Sequence, residues 1–230
     1  MIGNPWEDGS EVFLSMKRKF NFDTAEAVKY LRARDAVLGG VIERVGDFGL
    51  EVRPTKSLFE ALLRAIIYQQ LHGRAAKSIH GRVLAELAAH GGAPPEALGK
   101  ISDAALRGAG LSANKLLAAR DLALKCGDGL VPTLREARGL EDAELVARLT
   151  AVRGIGPWTV QMLLMFHLGR PDVLPTGDYA VRQAFMQLYR KRKHPSPEAL
   201  TKHARRWQPY RSVASWYLWR SLDLDDDELP

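Results

Sequence analysis

The chain has 230 residues, 46% hydrophobic and 26% charged, a composition typical of a soluble globular protein that forms one large domain or two small ones. Its net charge is +6, or +11 without the five acids of residues 223–228, which suits a polyanionic partner, although many basic proteins bind no nucleic acid. The single cysteine, Cys126, excludes an internal disulfide and a four-cysteine iron–sulfur or zinc site. The sequence has no long apolar run and no signal-peptide pattern, so we expect a reduced intracellular compartment and no membrane partner.

Helical periodicity dominates the sequence, so the predicted fold class is all-α or nearly so. Weak alternation of apolar and polar residues makes 11–20 and 49–53 the candidate strands. The first strong helix opens on Ser57, which forms a capping-box pattern with Glu60, and its apolar residues recur at helical spacing as far as Leu71.

The following helices are predicted from the same apolar spacing together with capping residues, glycines and prolines. They are, in order, Ile79 to Leu87 before Gly91-Gly92 and a loop at Pro94-Pro95, Ser112 to Leu124 before Gly127, a helix capped by Asp142 that runs to Leu149, and Pro157 to His167. Residues 169–177 form a loop, after which Asp178 is the expected N-cap of a helix through Tyr189. Two more helices follow Pro197 and Pro209.

The most informative stretch is the turn Val152-Arg-Gly-Ile-Gly-Pro-Trp158 between two of these helices. Its glycines and proline favour a tight turn that leaves backbone N–H groups at the start of a helix, where the helix dipole also favours an anion. A phosphate is the expected ligand, and Asp178 follows Trp158 by twenty positions. The alternative is an ordinary interhelical turn followed by a helix-capping aspartate.

The segment LTAVRGIGPWTVQMLLM, residues 149–165, resembles the helix-hairpin-helix of the HhH-GPD DNA glycosylase superfamily, in which a Gly/Pro-rich loop and a catalytic aspartate follow the hairpin. Further segments resemble the same family, and the last of them is close to the C-terminal signature of its 3-methyladenine DNA glycosylase II (AlkA/Mag-like) branch. They are Phe59–Leu71, Gly110–Lys115 and Trp207–Arg220. The resemblance runs from about residue 22 to residue 220, and we expect the compact form without the N-terminal β-rich domain of longer members.

The resemblance implies two helical subdomains that flank a cleft for DNA binding and catalysis. The expected central bundle covers 57–169 and ends in the helix-hairpin-helix at 149–168. Residues 1–56 and 170–230 would form a discontinuous terminal subdomain.

The resemblance places a phosphate anchor at the hairpin. The N–H groups after Gly154 and Gly156 would face a phosphate, with Ile155 between the glycines and the Thr159 hydroxyl added. Family members often hold a monovalent cation here, Na⁺ or K⁺, on backbone carbonyls, and no other cofactor or iron–sulfur cluster is expected. The matching carbonyls belong to Thr150, Val152 and Ile155. The run Arg190–His194 would add attraction for DNA, although a solvated loop is an equal alternative.

The wedge that fills the gap left by a displaced base is assigned, by resemblance, to Leu71 in the turn formed with Gln70 and His72. The alternative is that Leu71 is the last core residue of its helix.

Pocket candidates are aromatic, because an alkylated purine carries a positive charge that an electron-rich ring attracts. Trp219 matches the family tryptophan that stacks on the flipped base, and Trp158 and Tyr179 flank the hairpin and the aspartate. Met162 stands where some members have a pocket tyrosine. At least one aromatic residue of the segment 216–219 must belong to the core, since neighbours on a helix point in different directions.

Asp178 is the expected catalytic group, because a carboxylate stabilises the positive charge that develops on the sugar and can orient or deprotonate water. Bifunctional relatives carry a lysine nucleophile where this chain has Trp158, and no lysine lies between Val152 and Tyr189. We therefore expect a monofunctional glycosylase that releases alkylated bases such as 3-methyladenine and 7-methylguanine and leaves an abasic site.

The expected partners are damaged double-stranded DNA and a downstream abasic-site endonuclease, with the protein acting as a monomer. The expected location is the bacterial cytoplasm at the nucleoid, or the nucleus of a eukaryote. Two alternatives stay open, namely an oxidised-base glycosylase/lyase and a non-catalytic helix-hairpin-helix DNA-binding protein. A metal-dependent nuclease is disfavoured because no cluster of carboxylates accompanies Asp178.

Overall fold

The computed structural model describes residues 20–92 and 95–224, and the regular secondary structure of these residues is helical. The helices are α1 (Thr24–Arg34), α2 (Ala36–Val45), α3 (Leu58–Tyr68), α4 (Gly73–Ala89), α5 (Pro95–Lys100), α6 (Asp103–Gly108), α7 (Ala113–Gly127), α8 (Leu134–Gly139), α9 (Asp142–Thr150), α10 (Pro157–Phe166), α11 (Tyr179–Leu188), α12 (Pro197–Ala204), a 3-10 turn (Arg205–Trp207) and α13 (Arg211–Ser221). The predicted all-α class is confirmed. No helix in the described part of the chain is long and apolar enough to cross a membrane.

The chain forms two compact units, of which the described residues are 54–92 with 95–163 in one and 20–53 with 164–224 in the other. We call the first the hairpin unit and the second the aspartate unit. Helix α10 begins in the hairpin unit and ends in the aspartate unit. The predicted division into 57–169 and two terminal segments stays a prediction.

The helix starts follow from short polar caps. Several helices open on a Ser or Thr whose hydroxyl accepts a hydrogen bond from the backbone N–H three residues on, which satisfies a donor that the helix itself leaves unpaired. These residues are Ser57, Ser102, Ser112, Thr133 and Ser196. The predicted caps at Ser57, Ser112 and Asp178 are therefore confirmed.

The structure corrects several predicted boundaries. Residues 49–53 form no strand; Val52 is an isolated bridge residue, and the Arg53 N–H donates to the Phe166 carbonyl at 2.7 Å. Pro95 starts helix α5 instead of lying in a loop, because proline suits a first helical turn. Glu141, not Asp142, is the N-cap of α9. The candidate strand at 11–20 lies outside the described residues except for Phe20.

Each unit is built around one helix that is buried nearly all round. In α3 of the hairpin unit nine of eleven residues are buried, which explains its almost continuous apolar sequence. In α13 of the aspartate unit eight of eleven are buried, including three serines that bond to backbone carbonyls. Burial on both faces therefore fixes these two helices more firmly than the surface helices around them.

A buried carboxylate, Asp35, organises the aspartate unit. Its Oδ2 accepts hydrogen bonds from the Tyr189 hydroxyl at 2.8 Å and the Trp207 indole at 2.9 Å, and His203 Nε2 lies 3.1 Å away. Its Oδ1 accepts from the Leu38 N–H at 3.2 Å and so caps α2. Burial alone raises the pKa of Asp35, but these hydrogen bonds outweigh it and lower the pKa to about 2.

Candidate functional site

The turn between α9 and α10 has the hairpin geometry that its glycines predict. Gly154 has φ +77°, a left-handed conformation that side chains disfavour, and a Cβ there would lie 3.5 Å from the Ala118 Cβ. Val152 and Ile155 are buried on either side of it. The backbone conformation, rather than lack of space, therefore requires glycine at position 154.

A carboxylate from α7 fixes the hairpin turn. Asp121 Oδ2 accepts a hydrogen bond of 2.7 Å from the Arg153 N–H and one of 2.7 Å from Lys125 Nζ. Lys125 also donates to the Ala151 carbonyl. Burial raises the pKa of Asp121, but the bonds from Arg153 and Lys125 have the greater combined effect and lower it. Sequence reasoning missed this pair, because its partners lie about 30 residues away along the chain.

The hairpin N–H groups differ in detail from the prediction. The N–H of Ile155 donates to the Val152 carbonyl at 3.0 Å, and Pro157, which follows Gly156, has no N–H. The prediction that the N–H groups after Gly154 and Gly156 face a phosphate is therefore wrong. The first helical bond of α10 runs from Val160 N–H to the Gly156 carbonyl at 3.2 Å. The N–H groups of Gly156 and Thr159 precede that bond and are the donors that a helix start offers an anion.

The predicted cation carbonyls lie in the same turn. The Val152 carbonyl keeps a second lone pair beside its bond to Ile155, and the Thr150 hydroxyl donates to the Val146 carbonyl at 2.7 Å. The cation at these carbonyls stays a prediction. No group of three or more His, Cys, Asp or Glu side chains suited to a metal ion occurs within the described ranges.

The predicted wedge residue lies outside its helix. Helix α3 ends at Tyr68, Gln70 has φ +56°, and the Leu71 side chain is 37% exposed. The alternative that Leu71 is the last core residue of the helix is therefore wrong. His72 occupies the N-cap position of α4, and Gln69 Nε2 donates to the Gly154 carbonyl at 2.8 Å, so this turn and the hairpin turn are bonded together.

Lys115 explains why α3 ends early. Its Nζ donates to the carbonyls of Ile67 at 2.7 Å and Gln69 at 2.8 Å, which closes the end of the helix. Burial lowers the pKa of this lysine. The sequence had marked Lys115 by resemblance, without a role for it.

Asp178 is held in a fixed orientation at the start of α11. Its Oδ1 accepts a hydrogen bond of 2.9 Å from the Val181 N–H and one of 3.1 Å from the indole Nε1 of Trp219. The Trp219 ring is only 8% exposed and lies nearly parallel to the Phe166 ring, with centroids 6.0 Å apart. Trp219 therefore supports the carboxylate, a contact that the sequence did not predict.

The loop before Asp178 is bonded to the helix that carries Trp219. Asp172 accepts two hydrogen bonds from the Arg211 guanidinium, at 2.7 and 2.8 Å. The Ser212 hydroxyl donates to the Arg170 carbonyl at 2.6 Å and accepts from the Val173 N–H at 2.9 Å. Helix α13 thus holds both the loop and the carboxylate that ends it.

The remaining pocket candidates differ in exposure. Tyr179 is 71% exposed, Trp158 is half-buried and Met162 has no exposed surface. Trp158 and Met162 belong to the hairpin unit, and Tyr179 to the aspartate unit. The expectation that at least one aromatic residue near Trp219 belongs to the core is confirmed by Tyr217, which is fully buried.

A hairpin of two helices joined by a Gly-x-Gly turn, followed by a carboxylate that caps the next helix, defines a protein of the helix-hairpin-helix class. The profile of the HhH-GPD superfamily of base excision DNA repair proteins matches residues 63–209, and the chain belongs to this family.

Relatives and solved structures agree with this assignment. The chain is 37% identical over 196 residues to DNA-3-methyladenine glycosylase 1 of Schizosaccharomyces pombe, covering 83% of this chain and 84% of that protein. A crystal structure of a DNA-3-methyladenine glycosidase from Bacillus halodurans has a TM-score of 0.76 at 37% identity and covers 85% of this chain and 88% of its own. The 3-methyladenine DNA glycosylase of S. pombe in complex with abasic DNA has a TM-score of 0.71 at 35% identity, and the match covers 87% of this chain and 98% of that chain.

Proposed function

We propose that this protein is a monofunctional DNA glycosylase of base excision repair. It binds DNA, flips an alkylated base such as 3-methyladenine or 7-methylguanine out of the stack, hydrolyses the N-glycosidic bond and leaves an abasic site. The observation that carries the proposal is the Asp178 carboxylate, oriented by the Val181 N–H and the Trp219 indole in a chain of this family.

The hairpin unit would hold the strand. The N–H groups of Gly156 and Thr159 and the dipole of α10 favour a DNA phosphate, with Na⁺ or K⁺ on the turn carbonyls adding positive charge. Leu71, exposed beside Gln70 and His72, would enter the space that the flipped base leaves. These groups contact the DNA backbone and the base stack, so they hold the strand without reading its base sequence.

The aspartate unit would carry out the chemistry. As the bond between the sugar C1′ and the base nitrogen breaks, its electron pair leaves with the base and positive charge develops on the sugar. The ionised Asp178 stabilises that charge, and it orients water whose oxygen bonds to C1′ as a proton is released. An alkylated purine is cationic before the bond breaks and leaves as a neutral base, so little acid assistance is needed.

Water is the proposed nucleophile, because the hairpin position that holds lysine in bifunctional relatives is Trp158. Trp158 and Tyr179 are the proposed ring faces for a cationic base, and Met162 and Trp219 are the other proposed pocket residues. The reaction needs no cofactor.

We propose further that the protein acts as a monomer and hands the abasic site to an endonuclease. Its proposed location is where the DNA lies, in the cytoplasm of a bacterium or the nucleus of a eukaryote.

The direct test is mass spectrometry of the bases freed from methylated duplex DNA. We expect 3-methyladenine and 7-methylguanine among the products, an intact strand, and no covalent adduct after borohydride treatment. A borohydride adduct would show a lyase, and DNA binding without any base release would show a non-catalytic binding protein.

Leu71→Ala is expected to slow base release about tenfold, since stacking is worth roughly 1–3 kcal/mol per base and a methyl group fills the gap poorly. The melting temperature should stay unchanged, because Leu71 is exposed and lies outside the helices. Single-turnover rates on methylated duplex DNA measure the effect.

Leu84→Ala is the matched control, since Leu84 is 38% exposed and Leu71 is 37% exposed. The control should release bases at the wild-type rate. Equal rates for all three proteins would mean that Leu71 is no wedge.

A further inference from the structure

The loop after α11 carries four consecutive exposed cations, Arg190-Lys191-Arg192-Lys193, followed by His194. We call residues 190–194 the basic loop. No acid within residues 20–92 and 95–224 forms an ion pair with these four cations. Their charge is therefore available to a partner outside the described chain.

The basic loop has a fixed backbone at its start. The N–H of Arg190 donates to the Gln187 carbonyl at 3.1 Å and the N–H of Lys191 to the Met186 carbonyl at 2.8 Å, which is the Schellman arrangement of a helix end. Arg190 takes the left-handed position of that motif, with φ +50°. Glycine is the usual residue there, so an arginine accepts backbone strain that a glycine would avoid.

The end of the basic loop is held against α11. Arg182 Nε donates to the Pro195 carbonyl at 3.0 Å, and His194 Nε2 lies 2.8 Å from Gln183 Oε1. Both partners lie in the first half of α11, so the loop returns along the helix that begins after Asp178. A loop that only connects two helices in solvent needs neither bond.

Tyr179 brings the loop next to the proposed catalytic residue. Its ring centroid lies 5.1 Å from that of His194, and it directly follows Asp178. Helix α11 has ten residues and is therefore about 15 Å long, which is the rise of about four or five nucleotides at 3.4 Å each. The cations thus lie within a few phosphates of a nucleotide presented to Asp178.

We propose that the basic loop binds the phosphate backbone of the damaged DNA strand near the nucleotide on which Asp178 acts. This inference rests on the proposed function and names a second DNA contact, in the aspartate unit, besides the hairpin. The contact is electrostatic and independent of base sequence, so it contributes to affinity and to the salt dependence of binding. It takes no part in the chemical step.

Arg190→Gly separates a role in DNA binding from a role in stability. If Arg190 binds DNA, the substitution should weaken DNA binding although it stabilises the fold. Relief of the left-handed strain should raise the melting temperature by about 2–4 °C. Loss of the charge should weaken binding to duplex DNA roughly three- to fivefold near 0.15 M salt and reduce the slope of log K against log salt by about 0.9. The base-release rate at saturating DNA should not change.

The double variant Lys191→Ala/Lys193→Ala should reduce the salt slope by about 1.8, twice the effect of one charge. The matched control is Arg135→Ala, an exposed cation in the first turn of α8, where a positive charge does not help the helix. This control should bind DNA with the wild-type affinity and slope.

The outcomes are separable. The basic-loop proposal would be overturned if both loop variants bound duplex DNA with the wild-type affinity and salt slope, or if Arg135→Ala lost as much affinity as they do. The proposed glycosylase function would still stand in that case if the wild type released bases. Weaker DNA binding by the loop variants, in a protein that frees no base, would overturn the glycosylase and leave the loop as a DNA contact.

Discussion

Asp178→Asn should lower the rate of base release from methylated DNA by at least about a thousandfold, because an amide neither stabilises the charge on the sugar nor accepts a proton from water. The fold should be unaffected. Asparagine is as good an N-cap as aspartate, and its oxygen can still accept from the Val181 N–H and the Trp219 indole. DNA binding should also persist, since the proposed anchors lie elsewhere.

Single-turnover base release and DNA affinity, measured side by side, test this expectation. Asp23→Asn is the matched control, because Asp23 caps α1 through its own carboxylate, which accepts from the N–H groups of Ala25 and Glu26. The control should release bases at the wild-type rate. Rapid release by the Asp178 variant would assign the chemistry to another group, and loss of both activities would point to a structural role.

The hairpin and the aspartate could be predicted from sequence because both depend on local chemistry. Gly154 is needed for a backbone angle, Pro157 for a helix start and Asp178 for a helix cap, and each signal lies within a few residues of its effect. The predicted phosphate donors were less accurate. The hydrogen bonds inside a turn decide which of its N–H groups remain for a ligand, and here the Ile155 N–H is bonded to the Val152 carbonyl.

Long-range contacts decided what the sequence left open. Periodicity carried α3 on to Leu71, whereas Lys115, 46 residues beyond Gln69 in the chain, closes the helix at Tyr68. The hydrogen bond that the Trp219 indole donates to Asp178, from 41 residues away, was not predicted. Propensity and spacing carry no information about such partners, so the support of a site is less predictable than its reactive group.

The Asp35 cluster is a further long-range feature, and Asp35→Asn should destabilise the protein by about 3–5 kcal/mol. The substitution keeps the shape and can keep the bond from Leu38. It replaces Oδ2, which faces donors from Tyr189, Trp207 and His203, with an NH₂ group that cannot accept from them. For a chain of this length the melting temperature should fall by roughly 10 °C.

The same cluster makes stability depend on acid pH. Because hydrogen bonds, acting against burial, lower the folded pKa of Asp35 from 3.8 to about 2, the ionised form is favoured by folding. The ionised form contributes about 2 kcal/mol to the free energy of unfolding. This contribution is fully present above about pH 4 and is lost as the pH falls through about 2. Urea unfolding between pH 7 and pH 2 should show this loss in the wild type and in Asp23→Asn, and a smaller one in Asp35→Asn. Parallel pH curves for all three proteins would contradict the assignment, because they would mean that Asp35 titrates alike in the folded and unfolded chain.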